Sequence, residues 1–269
     1  MDRSGLIEGI AREKRAKAGE LRLFDANLWL GKPEFFPLAE EMPARSLKPV
    51  FQEYMLEGAF VSHWDSVRLS AQDGNQSLLD AEGSLPEGTG TVWTGLPLVP
   101  KEQEPLPGRG APHRRVRGVR LFPKTHHFSL SPWVVGSLCE WCLAHRLPLF
   151  FWHVEIEWDA VHALAGAFPT LPLVVETQWQ KILYHDRDLF SLLEARPNVR
   201  VESSNLIGQD FVSYLAGNWG AERLLFGSFL PVNDPWSAVG MILDADIAKE
   251  EKMLIAGGNA RRLAGEVTG

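Results

Sequence analysis

Leu-Phe-Asp-Ala-Asn-Leu-Trp-Leu-Gly, residues 23–31, is the stretch from which the fold prediction starts. It begins as a short apolar strand, reaches Asp25 and runs into a turn at Gly31. Between these two residues the chain carries Asn27 and Trp29. An asparagine amide is a poor transition-metal ligand, and an indole is none. Asn27 and Trp29 therefore do not provide a transition-metal site at the end of this strand.

Apolar runs and helical patterns alternate along the rest of the chain. Strands are predicted at residues 21–24, 59–62, 89–96, 116–122, 147–153, 171–175, 199–202 and 223–226. Helices are predicted between them, among them residues 47–57, ended by Gly58, and residues 132–145. This alternation predicts an α/β fold, a single-domain (β/α)8 TIM barrel of parallel strands. A doubly wound open sheet is the alternative, but no glycine-rich phosphate turn follows the first strand.

We divide the chain into an N-terminal helical extension, residues 1–20, and the barrel, residues 21–269. A stretch rich in proline and glycine, residues 99–115, interrupts the alternation. Regular strand-then-helix order resumes after it, so we interpret it as a loop insertion on the barrel.

Composition and charge limit the classes of function. A length of 269 residues suits one large α/β domain or two small ones. The content of 45% hydrophobic and 23% charged residues is ordinary for a soluble globular protein. A net charge of -7 argues against nucleic acid as a partner. Its two cysteines, Cys139 and Cys142, exclude a disulfide framework, and no apolar run can cross a bilayer. We therefore predict a cytoplasmic protein with a small-molecule ligand and no membrane partner; self-association into a homo-oligomer stays open.

Phrases from several strands together resemble the amidohydrolase superfamily, in the branch related to decarboxylating and lactone-hydrolysing barrel enzymes. Residues 23–31 resemble its first-strand motif Asp-x-His-x-His-x-Gly, and residues 118–123 its fourth-strand phrase Gly-x-Lys-x-Phe/Tyr-Pro. The stretch ending at His153 resembles strand five, and residues 223–231 resemble the eighth-strand phrase Phe-Gly-Ser-Asp-x-Pro. The phrases occur in family order from about residue 21 to 264, which implies the same barrel.

The resemblance also implies a metal site made from two strand-one histidines, one histidine each from strands five and six, and a strand-eight aspartate. Of these, this chain keeps His153. The other four positions hold Asn27, Trp29, Thr177 (or Glu176 in an alignment shifted by one residue) and Phe229. A catalytic metal needs about three protein ligands, so we predict a degenerate site without metal ligands or cofactor. We expect Trp29 and Phe229 to fill the metal position, and a divalent metal such as zinc stays an open alternative.

Residues that follow barrel strands face the active site of such folds, and they supply the candidates here. His153, Glu176 and Glu202 are the candidate catalytic groups, since imidazole and carboxyl groups perform acid–base chemistry. The candidate substrate-binding residues surround the same mouth: Asn27, Trp29, His63, Arg120, His127 and Phe229. Each candidate also has a structural interpretation, such as a hydrogen-bonded core histidine, a carboxylate paired with arginine, or a histidine on the surface.

Three functions follow from these residues. The first is a metal-independent hydrolase or lyase acting on a small polar or carboxylated substrate, with His153 and a glutamate replacing the missing base. The second is a catalytically silent barrel that binds a ligand or a protein partner. The third is a metal-dependent hydrolase with a non-standard site.

Overall fold

The computed structural model describes residues 3–33, 35–98, 107–108, 110–208 and 210–265. Its centre is one parallel sheet whose eight strands are neighbours in chain order. The strands are β1 (Leu23–Leu30), β2 (Leu56–His63), β3 (Thr89–Thr94), β4 (Val116–Leu121), β5 (Leu149–Trp152), β6 (Leu173–Glu176), β7 (Val199–Glu202) and β8 (Leu224–Leu225).

The sheet closes on itself because the segment after β8 bonds to β1. Ala26 N–H donates to the Phe226 carbonyl at 2.8 Å, and Trp29 N–H donates to the Leu230 carbonyl at 2.9 Å. Phe229 N–H in turn donates to the Asn27 carbonyl at 2.8 Å. The predicted (β/α)8 barrel is therefore confirmed, and the open-sheet alternative is wrong.

Helices surround the strands and alternate with most of them. They are α1 (Arg3–Glu20), α2 (Leu47–Tyr54), α3 (Asp65–Arg68), α4 (Ala71–Ala81), α5 (Pro132–Ala144), α6 (Trp158–Ala167), α7 (Asp186–Ala195), α8 (Phe211–Trp219), α9 (Pro235–Asp244), α10 (Lys249–Met253) and α11 (Asn259–Gly265). In the part of the chain that the structure describes, no helix has the length and apolar character needed to span a membrane.

The boundaries predicted for α2 and β1 are wrong. Helix α2 ends at Tyr54, where Met55 takes a left-handed conformation with φ of 55°, so Gly58 does not end it. Gly58 instead lies in β2, where a side chain would collide with the Phe24 ring. Strand β1 was predicted to end at residue 24, but it continues to Leu30. All eight of its residues are buried, and it pairs with β2 up to His63. Of the predicted loop at 99–115, residues 99–106 and 109 lie outside the described residues.

Alternation along the strands divides the buried side chains into layers. Side chains at every second position point to the same face of a strand, so the barrel interior is filled by i, i+2 series. An apolar floor lies at the amino ends of the strands and is closed by α11; its members are Phe24, Ala26, Phe60, Val92, Phe150, Val174, Leu225, Ala260 and Leu263. Polar residues come two positions further along several strands, and aromatic residues lie above them. This order positions the candidate site.

Candidate functional site

A buried polar layer lies inside the barrel near the carboxyl ends of the strands. Ser62 follows Phe60 by two positions, Glu176 follows Val174, and Arg120 lies at the corresponding height in β4. These three residues and Glu202 at the end of β7 are each 0–1% exposed. The alternation of side chains along the strands therefore brings together the candidate catalytic residues Glu176 and Glu202 and the candidate substrate-binding residue Arg120.

Arg120 and Glu176 form a buried ion pair. The Arg120 Nε donates to Glu176 Oε2 at 2.8 Å, and its Nη2 donates to the other carboxylate oxygen. Arg120 Nη1 donates to the Ser62 hydroxyl, and the guanidinium lies 4.6 Å from the Trp29 ring centroid. Burial raises the pKa of the Glu176 carboxyl, and the charge and bidentate hydrogen bonds of the Arg120 guanidinium act against that shift.

Glu202 lies beside this ion pair and has no cation of its own in the part of the chain described. Its Oε2 accepts from the Ser204 hydroxyl at 2.9 Å and from the Asn27 side-chain amide at 3.2 Å. Burial, with the neighbouring Glu176 carboxylate adding repulsion, raises the pKa of Glu202 to about 8. The Glu202 carboxyl group thus carries a proton through much of the neutral range.

Asp25, the landmark of the first strand, has a structural role. Its carboxylate accepts from the Asn27 N–H at 2.9 Å, from the Ser228 N–H at 3.0 Å and from the Ser228 hydroxyl. Burial raises the pKa of the Asp25 carboxyl, and these donors act against that shift. Because Ser228 follows β8, Asp25 joins the first strand to the last one and helps to close the barrel.

An aromatic cluster covers the polar layer. We use this name for Trp29, Trp64, Phe122, Trp152 and Phe229, none of them more than 1% exposed. The Trp29 ring centroid lies 4.9 Å from that of Trp64 and 5.3 Å from that of Trp152, and Phe229 lies 5.8 Å from Trp64. These tilted contacts are within the usual range for aromatic pairs. Side chains therefore fill the part of the mouth above the buried carboxylates.

Asn27 links the cluster to the polar layer. Its Oδ1 accepts from the Trp29 indole N–H at 2.7 Å, and its Nδ2 donates to Gln178 Oε1 at 3.1 Å as well as to Glu202. One amide thus serves an indole donor on one side and two oxygen acceptors on the other. Its role in this geometry is to fix the Trp29 ring relative to the carboxylates.

Three more exposed aromatic residues lie against the cluster. Trp179, after β6, is 38% exposed and lies 5.5 Å from Trp152. Phe35 and Phe36, after β1, lie 4.8 and 5.2 Å from Trp179 between ring centroids. We call Phe35, Phe36 and Trp179 the aromatic rim.

His153 is directed to the loop after β6. It follows Trp152, whose ring faces the barrel interior, and its Nε2 is 3.0 Å from the Gln180 carbonyl oxygen. The side chain is 2% exposed, and burial lowers the pKa of His153 to about 4. His153 is therefore a neutral imidazole that holds the segment carrying Trp179, whereas the two candidate glutamates lie inside the barrel.

The remaining predicted residues lie around the outside of the mouth. His63 Nδ1 accepts from the Asp65 N–H at 3.2 Å, and the Asp65 carboxylate also accepts from Ser77 and Arg68. Burial lowers the pKa of His63. His127 is exposed, in a left-handed conformation with φ of 56°. The structure therefore brings Asn27, Trp29, Arg120 and Phe229 to the interior, with His63 and His127 at the periphery.

Sequence reasoning missed most of the aromatic cluster. Trp64 and Phe122 continue the series Phe60–Ser62–Trp64 and Gly118–Arg120–Phe122, and Trp152 follows Phe150. The i, i+2 series starting from the polar residues is a signal that would have found them. The sequence contains ten tryptophans, and this large number was a second signal.

The polar residues present do not fit a divalent metal. The oxygen atoms of Asp25 and Glu176 are occupied by hydroxyl, amide and guanidinium donors, and His153 is bonded to Gln180. Over the described ranges, no three or more His, Cys, Asp and Glu side chains form a group that could hold a metal ion. A cationic guanidinium within this layer also opposes binding of a second cation.

Comparisons with known proteins agree with the fold. The family model described as Amidohydrolase matches residues 29–265. An Amidohydrolase 2 from Bifidobacterium longum subsp. infantis has a TM-score of 0.63 at 17% identity, covering 91% of this chain and 99% of its own. A 5-carboxyvanillate decarboxylase from Novosphingobium aromaticivorans, with bound manganese and 3-methoxy-4-hydroxy-5-nitrobenzoic acid, has a TM-score of 0.69 at 13% identity over 92% and 98% of the chains.

A 2,6-dihydroxybenzoate decarboxylase from Rhizobium has a TM-score of 0.60 at 12% identity, covering 90% of this chain and 98% of its own. No curated protein matches the sequence. The predicted resemblance to the amidohydrolases is confirmed by the family model, and the TM-scores show a common fold with these structures.

Proposed function

The chain belongs to the amidohydrolase family, and from that premise we propose that it is a catalytically silent member which binds an aromatic ligand at the mouth of its barrel. The aromatic cluster packed over the buried carboxylates is the observation that carries this proposal. Trp29 and Phe229 hold two positions where the family resemblance implies metal ligands. Neither side chain can coordinate a metal or activate water.

The engagement of the buried carboxylates supports the absence of catalysis. An acid or base must come within hydrogen-bond reach of a substrate. Glu176 is held by Arg120, Glu202 is held by Ser204 and Asn27, and both glutamates are 0% exposed. A substrate would have to displace the aromatic cluster to reach either carboxyl group.

The aromatic rim supports the ligand class. Phe35 is 50% exposed, Trp179 is 38% exposed, and their ring centroids lie 4.8 Å apart. A contiguous exposed apolar patch is a mark of a binding surface. Planar rings bind to such surfaces by offset or edge-to-face stacking. The structurally similar decarboxylase described above binds an aromatic acid, and we extend that ligand class to this rim as part of the proposal.

Two measurements on the purified protein test the proposal. Carbon dioxide release from 2,6-dihydroxybenzoate and 5-carboxyvanillate is measured with and without manganese, beside a Glu202→Gln variant. Binding of the same acids is followed by tryptophan fluorescence in the wild type, in Trp179→Ala and in a Trp133→Ala control, whose ring is 86% exposed on α5. We expect no turnover above the variant's background and saturable quenching that is lost only in Trp179→Ala. Manganese-stimulated turnover, or quenching that persists without Trp179, contradicts the proposal.

A metal-independent hydrolase or lyase is the second candidate, and the pKa of Glu202 favours it. A carboxyl group whose pKa is raised to about 8 can donate a proton at neutral pH, as general acids do. This function requires the aromatic cluster to open. The test is hydrolysis of lactones or esters by metal-free protein. Activity that is abolished in Glu202→Gln and retained in Trp133→Ala would contradict the silent-barrel proposal and support this enzyme.

A further inference from the structure

Trp179 has a backbone conformation that an aromatic residue rarely adopts. Its φ is 80°, in the left-handed region, where the Cβ of any residue other than glycine is crowded by its own backbone. The residue lies outside regular secondary structure, between the end of β6 and the 3-10 helix Ile182–His185. Such a conformation persists only where surrounding contacts fix it. The contacts on either side of Trp179 therefore decide where its ring lies.

Asn205, from the neighbouring loop, bonds to the chain on both sides of Trp179. Its main-chain N–H donates to the Thr177 hydroxyl at 2.9 Å, and its Nδ2 donates to the Gln180 carbonyl oxygen at 2.8 Å. Asn205 follows β7, whereas Trp179 follows β6, so the two bonds join adjacent loops at the mouth of the barrel. One residue thus bridges the segment that carries Trp179.

The same Gln180 carbonyl also contacts His153 after β5. The His153 Nε2 lies 3.0 Å from this oxygen, and a carbonyl oxygen can accept two hydrogen bonds at once. His153 bonds only to the far side of Trp179, whereas Asn205 bonds to both sides. Asn205 is therefore the residue that sets the spacing between Thr177 and Gln180 and, with it, the backbone conformation of Trp179.

The Trp179 ring connects the other members of the aromatic rim to the buried cluster. Its centroid lies 4.8 Å from that of Phe35, 5.2 Å from that of Phe36 and 5.5 Å from that of Trp152. Phe35 and Phe36 come from the loop after β1, and Trp152 comes from β5. A change in the backbone of Trp179 would move its ring away from all three partners. The shape of the rim therefore depends on that backbone.

We propose that Asn205 is the positioning residue of the aromatic rim, and that it fixes Trp179 in its left-handed conformation by bridging Thr177 and Gln180. The Trp179 ring is then in place before a ligand arrives. Ordering a mobile side chain opposes binding, so a ring that is already fixed binds more tightly. The effect on the ligand rests on the proposed function above, whereas the effect on Trp179 itself does not.

Fluorine NMR of protein labelled with 5-fluorotryptophan tests the positioning without a ligand. The Trp179 resonance is the one missing from Trp179→Phe. The test variant is Asn205→Asp, which keeps the side-chain shape but replaces the Nδ2 donor by an oxygen that repels the Gln180 carbonyl. Its matched control is Asn218→Asp, since the Asn218 Nδ2 donates to the Tyr214 carbonyl oxygen at 2.8 Å on α8.

Circular dichroism and the melting temperature check that each variant is folded. Where Asn205→Asp fails to fold, Asn205→Ala gives the result, because it removes the amide without adding a charge. The ligand measurement is the dissociation constant of 5-carboxyvanillate for wild type and for the same variants.

We expect the Trp179 resonance to shift and broaden in Asn205→Asp, while that of Trp133, on α5, keeps its wild-type position. Asn218→Asp should leave both resonances unchanged. The dissociation constant should rise about tenfold in Asn205→Asp, as expected for the loss of one hydrogen bond, and stay unchanged in Asn218→Asp.

An unchanged Trp179 resonance in the Asn205 variants, or an equal shift in Asn218→Asp, would overturn the proposal. A shifted resonance with unaltered affinity would overturn it as well, because the position of the ring would then not matter for binding. If wild type binds no aromatic acid, the proposed function fails, and the Trp179 resonance still decides whether Asn205 positions the rim.

Discussion

Replacement of Arg120 by methionine is the most informative perturbation of the barrel interior. The substitution keeps an unbranched side chain but removes the guanidinium that bonds both oxygens of Glu176 and the Ser62 hydroxyl. Glu176 is 0% exposed, so water cannot replace the lost donors. Breaking a buried ion pair from one side costs about 3–5 kcal/mol. For a chain of this size that loss lowers the melting temperature by roughly 10 °C.

Urea unfolding followed by tryptophan fluorescence and by circular dichroism measures this loss. The double variant Arg120→Met/Glu176→Leu removes both charges, and we expect it to recover most of the stability lost in the single variant. The control is Arg68→Met, which removes a surface pair with Asp65 at 3.0 Å from a side chain 39% exposed. That change should cost under about 1 kcal/mol.

A loss in Arg120→Met as small as that of the control would refute this reasoning. A double variant as unstable as the single one would refute it too, because the damage would then come from altered packing against Trp29 and Phe150. A recovered double variant shows that the cost comes from the buried Glu176 carboxyl left without its partner.

Three further outcomes are expected. Glu202 holds a proton in the folded chain that it loses above pH 4.5 in the unfolded chain, so its contribution to stability falls as pH rises from 4.5 to about 8. Glu202→Gln should remove this pH dependence from the free energy of unfolding, measured by denaturation across the same range. His153 stays neutral in the folded chain, whereas it gains a proton below pH 6.5 in the unfolded chain, so stability falls as pH drops from 6.5 to about 4. His153→Gln should reduce this loss of stability relative to wild type. The two effects have opposite signs between pH 4.5 and 6.5, so each variant's free energy of unfolding is compared with that of wild type at the same pH. An unchanged pH dependence in both variants would contradict both assignments. Gly227→Ala places a Cβ against the Glu202 carboxylate and should destabilise by about 1–3 kcal/mol in urea unfolding, whereas Gly217→Ala, where nothing lies within 4 Å of the added Cβ, should not.

Much of the barrel was predictable because strand patterns are local. Each apolar run lies within a few residues of the turn that ends it, and β7 was predicted at the same residues, 199–202, as observed. Prediction failed where tertiary contacts override local preference. Gly58 signals the end of a helix locally, but it lies inside β2 because the Phe24 ring needs its space.

The candidate site was predictable only in part. The positions of Asn27, Trp29, Glu176 and Glu202 at strand ends follow from the order of strands and the period of two. The partners of these residues do not follow from the sequence. Arg120 meets Glu176 from 56 positions away, and Asn27 meets Glu202 from 175 positions away. His153 shows the same limit, because its hydrogen bond to Gln180 depends on the course of the loop after β6.

The sequence by itself determined the barrel, its strand order, its resemblance to the amidohydrolases, and the replacement of histidine by Asn27 and Trp29 within residues 23–31. Tertiary structure decided that Trp29 packs with Trp64, Phe122, Trp152 and Phe229, and that Glu202 lies beneath them with a pKa near 8. The physical reason is that strand periodicity is encoded over neighbouring residues, whereas burial and electrostatic environment depend on every strand that converges inside the closed barrel.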